Sequence, residues 1–197
     1  MIPFSPPHID DAIIREVTDA LRSGWITTGP KTKQLEKELA AYVGVQDVLC
    51  LNSATAGLEL MLRWFGVKEG DEVILPAYTY SATANVVIHC GAVPVLADVN
   101  GDDFNIDIQK MEAAITERTK VIMPVDIGGL PCDYAAINRV VNEMQHKQKF
   151  VPATAEQEKL GRIMVLSDAA HSIGATYQGK RTGTLADATV FSFHAVK

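Results

Sequence analysis

The chain has 197 residues, 47% of them hydrophobic, enough to bury one substantial core, so one main domain is expected. Its net charge of −6, from 24 acidic against 18 basic residues, gives no electrostatic reason to expect a nucleic-acid partner, although a small anion can still bind locally. No run reaches the roughly eighteen apolar residues of a membrane span, and the start MIPFSPPHIDD lacks the basic and apolar stretches of a signal peptide, so the protein reads as cytoplasmic with no membrane partner.

In chain order, Leu35, Leu39 and Tyr42 give helical spacing over 32–43, and the apolar run VLCLN at 48–52 reads as a first strand. A second helix is expected over 54–65, where Leu58, Met61, Leu62 and Phe65 share a face. The turn residues Lys68, Glu69, Gly70 and Asp71 precede the strand VILP at 73–76, and a further helical pattern follows LPAYTY. Gly91 precedes VPVLA at 93–97, and KVIMPV at 120–125 runs into the turn Gly128, Gly129, Leu130 and Pro131. Ile137, Val140, Val141 and Met144 mark a helix over 134–144. The polar stretch 146–162 is expected to be a surface excursion, partly helical at most and without a catalytic role, before the strands IMVLS at 163–167 and ATVFS at 188–192. Short apolar runs alternating with helices predict an α/β fold with a mostly parallel sheet and helices on both faces. Cys50, Cys90 and Cys132 are far apart, beside apolar residues and outside any CxxC arrangement. They are read as buried thiols, with neither disulfide nor metal expected.

Ligands of open α/β sheets gather beyond the carboxyl ends of the strands, and four such ends carry chemistry. In LNSATAGLEL, Ser53 suits a helix N-cap, and the small residues Ala54 and Thr55 leave backbone N–H groups open to a phosphate; an ordinary capped helix explains the same residues. Tyr78 and Tyr80 follow VILP and can stack on a flat ring, although core packing is the stronger reading of these two residues alone. Asp168 closes an apolar strand; it either caps the next turn or keeps a ring nitrogen protonated. Ser192, His194 and Lys197 follow the last strand, and a lone terminal lysine is ordinarily a solvated surface residue. Taken together, a phosphate cradle, an aromatic, an acid and a lysine are the inventory that holds pyridoxal 5′-phosphate (PLP) covalently.

The ordered motifs GWITTGPKTKQLEKELAAYVG, NSATAGLEL, GDEVILPAYTYSATANVV, GAVPVLADV, PVDIGGLPCD, SDAAHSIGATYQGKRTGTLADATVFSF and the final HAVK resemble the DegT/DnrJ/EryC1/StrS family, the sugar aminotransferases of PLP fold type I. The resemblance runs from about Phe4 to Lys197 and implies residues 1–30 as an arm and substrate loop and 31–197 as an incomplete PLP-binding large domain. A small C-terminal domain is expected beyond it. It further implies Lys197 as the Schiff-base and acid/base lysine, Asp168 as partner of the pyridine nitrogen, and Ala54, Thr55 and Ser192 as the phosphate cradle. By the same resemblance Tyr80 stacks on the ring, His171 lies near the ring hydroxyl, and Trp25, Ile26 and Thr28 line the sugar pocket. The family commonly has His where this chain has Asp126, to which no catalytic part is assigned.

The implied activity is transfer of an amino group from L-glutamate to a nucleotide-diphosphate keto sugar, for amino-sugar, surface-polysaccharide or antibiotic-sugar biosynthesis, in a homodimer with shared active sites. Two rivals stand beside it. One is PLP-dependent dehydration of a keto sugar, against which Lys197 counts, since the deoxygenating relatives carry His there. The other is a non-catalytic regulatory protein on the same fold. A nicotinamide-binding domain is excluded by the lack of GxGxxG after the first strand.

Overall fold

The structure is a computed structural model that describes residues 6–195. Lys197 therefore lies outside the described residues. Two compact units divide the chain, Met1–Cys50 with Phe193–Lys197, and Leu51–Ser192.

The first unit contains α1 (Asp11–Arg22) and α2 (Pro30–Val43). The Asp10 side chain caps α1 by accepting from the Ile13 N–H at 2.9 Å. Pro30 opens α2, where its missing N–H costs nothing, and Gly44 closes it in the left-handed region at φ 90°. The segment expected as an arm thus holds a regular helix. Its apolar residues Ile13, Ile14, Val17 and Leu21 recur at helical spacing, yet α1 buries none of its residues.

The second unit begins with α3 (Ala54–Trp64), followed by β1 (Glu72–Pro76), α4 (Ala82–His89), β2 (Val93–Ala97), α5 (Ile108–Ala113) and β3 (Thr119–Ile122). Then come α6 (Tyr134–Asn142), α7 (Met144–Lys149), α8 (Ala155–Leu160), β4 (Met164–Asp168), the short antiparallel pair β5 (Thr176–Tyr177) and β6 (Lys180–Arg181), and β7 (Ala188–Val190). Five strands form one parallel sheet in the order β2-β1-β3-β4-β7, flanked by helices. The central strands β1, β3 and β4 are buried along their whole length, as strands covered on both faces must be. β2 is an edge strand with Val93 and Leu96 exposed, a position that tolerates Pro94 and its missing N–H. Leu58, Leu62, Phe65, Val86 and Val87 from the helices meet Val73, Ile74, Leu75, Val121, Ile122, Val165 and Leu166 of the sheet in one core. Each such side chain contributes about 1.5–3 kcal/mol on burial.

Three expectations need correction. Residues 48–52 form no strand: the Cys50 N–H is taken by the Glu36 side chain at 3.0 Å, while Leu49 and Leu51 are exposed. The strand expected over 120–125 ends at Ile122, because Pro124 cannot donate to the ladder; its carbonyl still accepts from the Asp168 N–H at 2.9 Å. The stretch 146–162 is packed structure. It forms α7 and α8 and buries His146, Phe150 and Gln157, and the Gln157 amide donates to the Phe65 carbonyl at 2.8 Å while accepting from the Ala153 N–H at 2.9 Å.

Candidate active site

Because the sheet is parallel, the residues after Pro76, Ile122, Asp168 and Val190 leave it at the same edge. Asp168 is the last residue of β4, paired with Val190 of β7 and bridged to Val125. Its backbone is held on both sides: the Asp126 N–H donates to its carbonyl at 3.1 Å, and the Ala169 N–H donates to Val190 at 2.9 Å. The carboxyl group is buried at 6% exposure. Oδ2 accepts from the Thr83 hydroxyl at 2.9 Å and Oδ1 from the Ala170 N–H at 3.3 Å. Of the two sequence-based readings of Asp168, the turn-capping contact is present through Ala170, but the Thr83 bond shows that the side chain also reaches the first turn of α4.

Ser53 caps α3, its hydroxyl accepting from the Ala56 N–H at 3.1 Å. The N–H groups of Ala54 and Thr55 begin the helix, where no intrahelical acceptor exists and the helix dipole favours an anion. This first turn lies at the end of β7. A Cβ on Gly57 would sit 2.9 Å from Cγ1 of Val190, so only glycine lets α3 approach the strand that leads to Ser192. Ser192 is half-buried and closes the second unit.

Tyr80 is 78% exposed, so it is not the core residue that its sequence position suggested. Tyr78 instead packs on Phe104, with ring centroids 5.4 Å apart. The Tyr80 carbonyl accepts from the Thr83 N–H at 3.1 Å, joining the aromatic turn to the start of α4. His171 is exposed on the turn after β4. That turn is approached by Gly129, where an added Cβ would meet the His171 carbonyl at 2.9 Å. Ala54, Thr55, Tyr80, Asp168, His171 and Ser192 therefore share one unit, at or beside one edge of one sheet.

Trp25, Ile26 and Thr28 belong to the other unit, where the Trp25 indole donates to the Thr28 carbonyl at 3.0 Å. A Cβ on Gly29 would strike that indole at 2.4 Å, which explains the glycine in GWITTG.

Two residues have a setting that the sequence did not reveal. Thr83 carries no signal in the sequence, and only its contact with Asp168 singles it out. Asp126 is 1% exposed and accepts from the Cys132 N–H at 3.0 Å, the Tyr134 hydroxyl at 2.9 Å and the Ser172 hydroxyl at 2.6 Å. Burial pushes its pKa up from the usual carboxylate value, against the opposing pull of these donors. The signal for Asp126 was present as an acid following an apolar run; its partners were not.

Cys90 and Cys132 are buried and Cys50 partly so, all three as free thiols. Among the described residues no helix is long and apolar enough to cross a membrane.

The family model for the DegT/DnrJ/EryC1/StrS aminotransferase family matches residues 7–197. The spore coat polysaccharide biosynthesis protein SpsC of Bacillus subtilis is 45% identical over the whole chain, which covers 46% of SpsC. The UDP-4-amino-4-deoxy-L-arabinose–oxoglutarate aminotransferase of Shewanella sediminis is 41% identical, again with 100% of this chain and 46% of that protein covered. The chain thus spans about half the length of these relatives. Among solved structures, Spr1654 of Streptococcus pneumoniae in its PLP form matches with a TM-score of 0.96 and 52% identity over 100% of this chain and 50% of that one; it is also solved in apo and PMP forms. PLP is the family's cofactor, and the parallel sheet flanked by helices is the architecture of these aminotransferases. The chain belongs to the DegT/DnrJ/EryC1/StrS aminotransferase family.

Proposed function

We propose that the protein is a PLP-dependent aminotransferase that moves an amino group from an amino acid, L-glutamate, to a nucleotide-linked keto sugar. The observation that carries this reading is the buried Asp168 at the end of β4, one oxygen held by Thr83, on the sheet edge shared with the first turn of α3. A carboxylate placed at that edge is suited to pair with a protonated ring nitrogen and keep it charged.

The residues present suit PLP. The N–H groups at the start of α3 and the hydroxyls of Thr55 and Ser192 would hold the phosphate. Tyr80, exposed beside α4, would cover a ring face, and His171 would lie toward the ring hydroxyl. When bound, PLP supplies an electron-accepting ring and an aldehyde that carries the amino group between donor and acceptor. Asp168 would hold the proton on the ring nitrogen, which the electron-accepting role requires. Lys197 would anchor the cofactor and then move the proton at the donor's α-carbon with its Nζ, a role that rests on the family motif. Trp25, Ile26 and Thr28 would face the sugar. A homodimer with shared sites, working in the cytoplasm, completes the proposal.

The test uses the complete protein. It is expected to show the visible absorbance of a lysine-bound cofactor, to lose that band in Lys197→Ala, and to release 2-oxoglutarate from glutamate beyond a single turnover only when a nucleotide keto sugar is present. A Lys197→Ala variant that keeps the colour and borohydride trapping of wild type would refute the lysine assignment. Glutamate-independent loss of water from the sugar would instead mark a dehydratase.

A further inference from the structure

We propose that Thr83 and Thr79 are positioning residues that form a directed hydroxyl chain onto Asp168, tying the turn of Tyr80 to the acid; this rests on the PLP reading above. Thr83 is fully buried, and its hydroxyl lies 2.9 Å from Oδ2 of Asp168 and 2.8 Å from the hydroxyl of Thr79. An ionised carboxylate only accepts, so Thr83 must donate to it. Thr83 has one hydroxyl hydrogen, so in the second contact Thr79 is the donor. The chain therefore runs from Thr79 to Thr83 to Asp168, and each bond polarises the next.

The surroundings fix this direction. Thr83 lies in the first turn of α4, where the helix dipole also favours a carboxylate, and its own N–H is anchored on the Tyr80 carbonyl at 3.1 Å. Thr79 sits between Tyr78, which packs on Phe104, and the exposed Tyr80. One end of the chain thus sets where the aromatic turn sits, and the other favours the charged form and the orientation of Asp168. With Oδ2 engaged by Thr83, the carboxylate cannot rotate without breaking that bond. A β-branched threonine suits the task because its side-chain torsion is stiff.

The experiment compares Thr83→Val, Thr83→Ser, Thr79→Val and Thr79→Ser with wild type in the complete protein. It reads the dissociation constant for added PLP, the position of the visible band of the bound cofactor, and the melting temperature of the PLP-free protein. Thr83→Val is expected to weaken PLP binding about tenfold, the size of one lost hydrogen bond to a charged group, and to move the band. Thr83→Ser, which keeps the hydroxyl, is expected to restore both. Thr79→Val is expected to act in the same direction by about threefold, with Thr79→Ser restoring it.

Wild-type affinity and band position in Thr83→Val would overturn the proposal, as would failure of Thr83→Ser to rescue, since the role would then be packing. If Thr83→Val does not fold, the Thr79 pair decides on the same criteria. Wild-type protein that takes up no PLP would overturn the parent reading and this one with it, whereas uptake by wild type with unaltered valine variants would overturn this one alone.

Discussion

Two buried acids stand side by side at the carboxyl edge of the sheet, and they are built differently. Asp126, after β3, is 1% exposed and ends in three donors from its own turn, the start of α6 and the turn after β4. The Tyr134 hydroxyl extends that network to Ser167 at 2.5 Å. Asp168, after β4, is nearly as buried, is reached by the Thr83 hydroxyl and the Ala170 N–H, and opens a turn whose residues Ala170 and His171 are progressively more exposed. Asp126 is knitted into three segments, as a strut is. Asp168 heads a turn that runs out to the exposed His171, at the edge where ligands of parallel sheets gather. Similar burial therefore does not mean equal purpose; the segments that follow the two acids separate them.

The sharpest way to break this contrast is to neutralise each acid. Asp168→Asn is expected to weaken PLP binding by a hundredfold or more, roughly the 3 kcal/mol or above that follows when a buried charge loses its partner, while the melting of the PLP-free protein changes little. Isothermal titration with PLP and a thermal scan of the same samples decide it. Asp126→Ala is expected to do the reverse. It strands the Cys132 N–H and the Tyr134 and Ser172 hydroxyls in the interior and should cost about 3 kcal/mol in urea unfolding. If Asp168→Asn proves the more destabilising and leaves PLP affinity intact, the assignment of roles is inverted.

The contrast also marks what the sequence could reveal. The buried strands β1 and β4 were legible because VILP and MVL are short apolar runs, the pattern of strands covered on both faces. Asp168 was legible for the same reason, as a charge placed where such a run stops. VLCLN carries the same apolar signal, but a strand needs a neighbour, and a sequence window does not show that Glu36 takes the Cys50 N–H instead. α7 and α8 have only 6 residues each, too short for a periodic stripe, and what fixes α8 is the Gln157 amide on the Phe65 carbonyl, 92 positions away. Thr83 was invisible on the same principle: its contact with Asp168 spans 85 positions. Local chemistry was readable, and pairing across the chain was not.

A smaller perturbation targets the seam between the two turns. Gly129 has φ +86°, a region that strains any side chain, and a Cβ there would press the His171 carbonyl at 2.9 Å. Gly129→Ala is expected to cost about 1–2 kcal/mol in urea unfolding and to displace the turn that carries His171, read as a several-fold loss of PLP affinity. A loss of stability with wild-type affinity would show that the two turns are not coupled.

The smallest effect is the pH dependence of the strut. Burial raises the pKa of Asp126 in the folded protein above its unfolded value, so the native state binds that proton more tightly. The associated stability is fully present below the unfolded value, around pH 4, and is lost as pH rises through the folded one. This is opposite in sign to an acid paired with a cation. Asp126→Asn removes the titrating proton while keeping an acceptor for Tyr134 or Cys132. The stability of wild type minus that of Asp126→Asn, from urea unfolding between about pH 3 and pH 7, should therefore fall with rising pH. A difference that rises with pH would mean that the donors outweigh burial at this site, and Asp126 would then be anchored by its charge, as Asp168 is proposed to be.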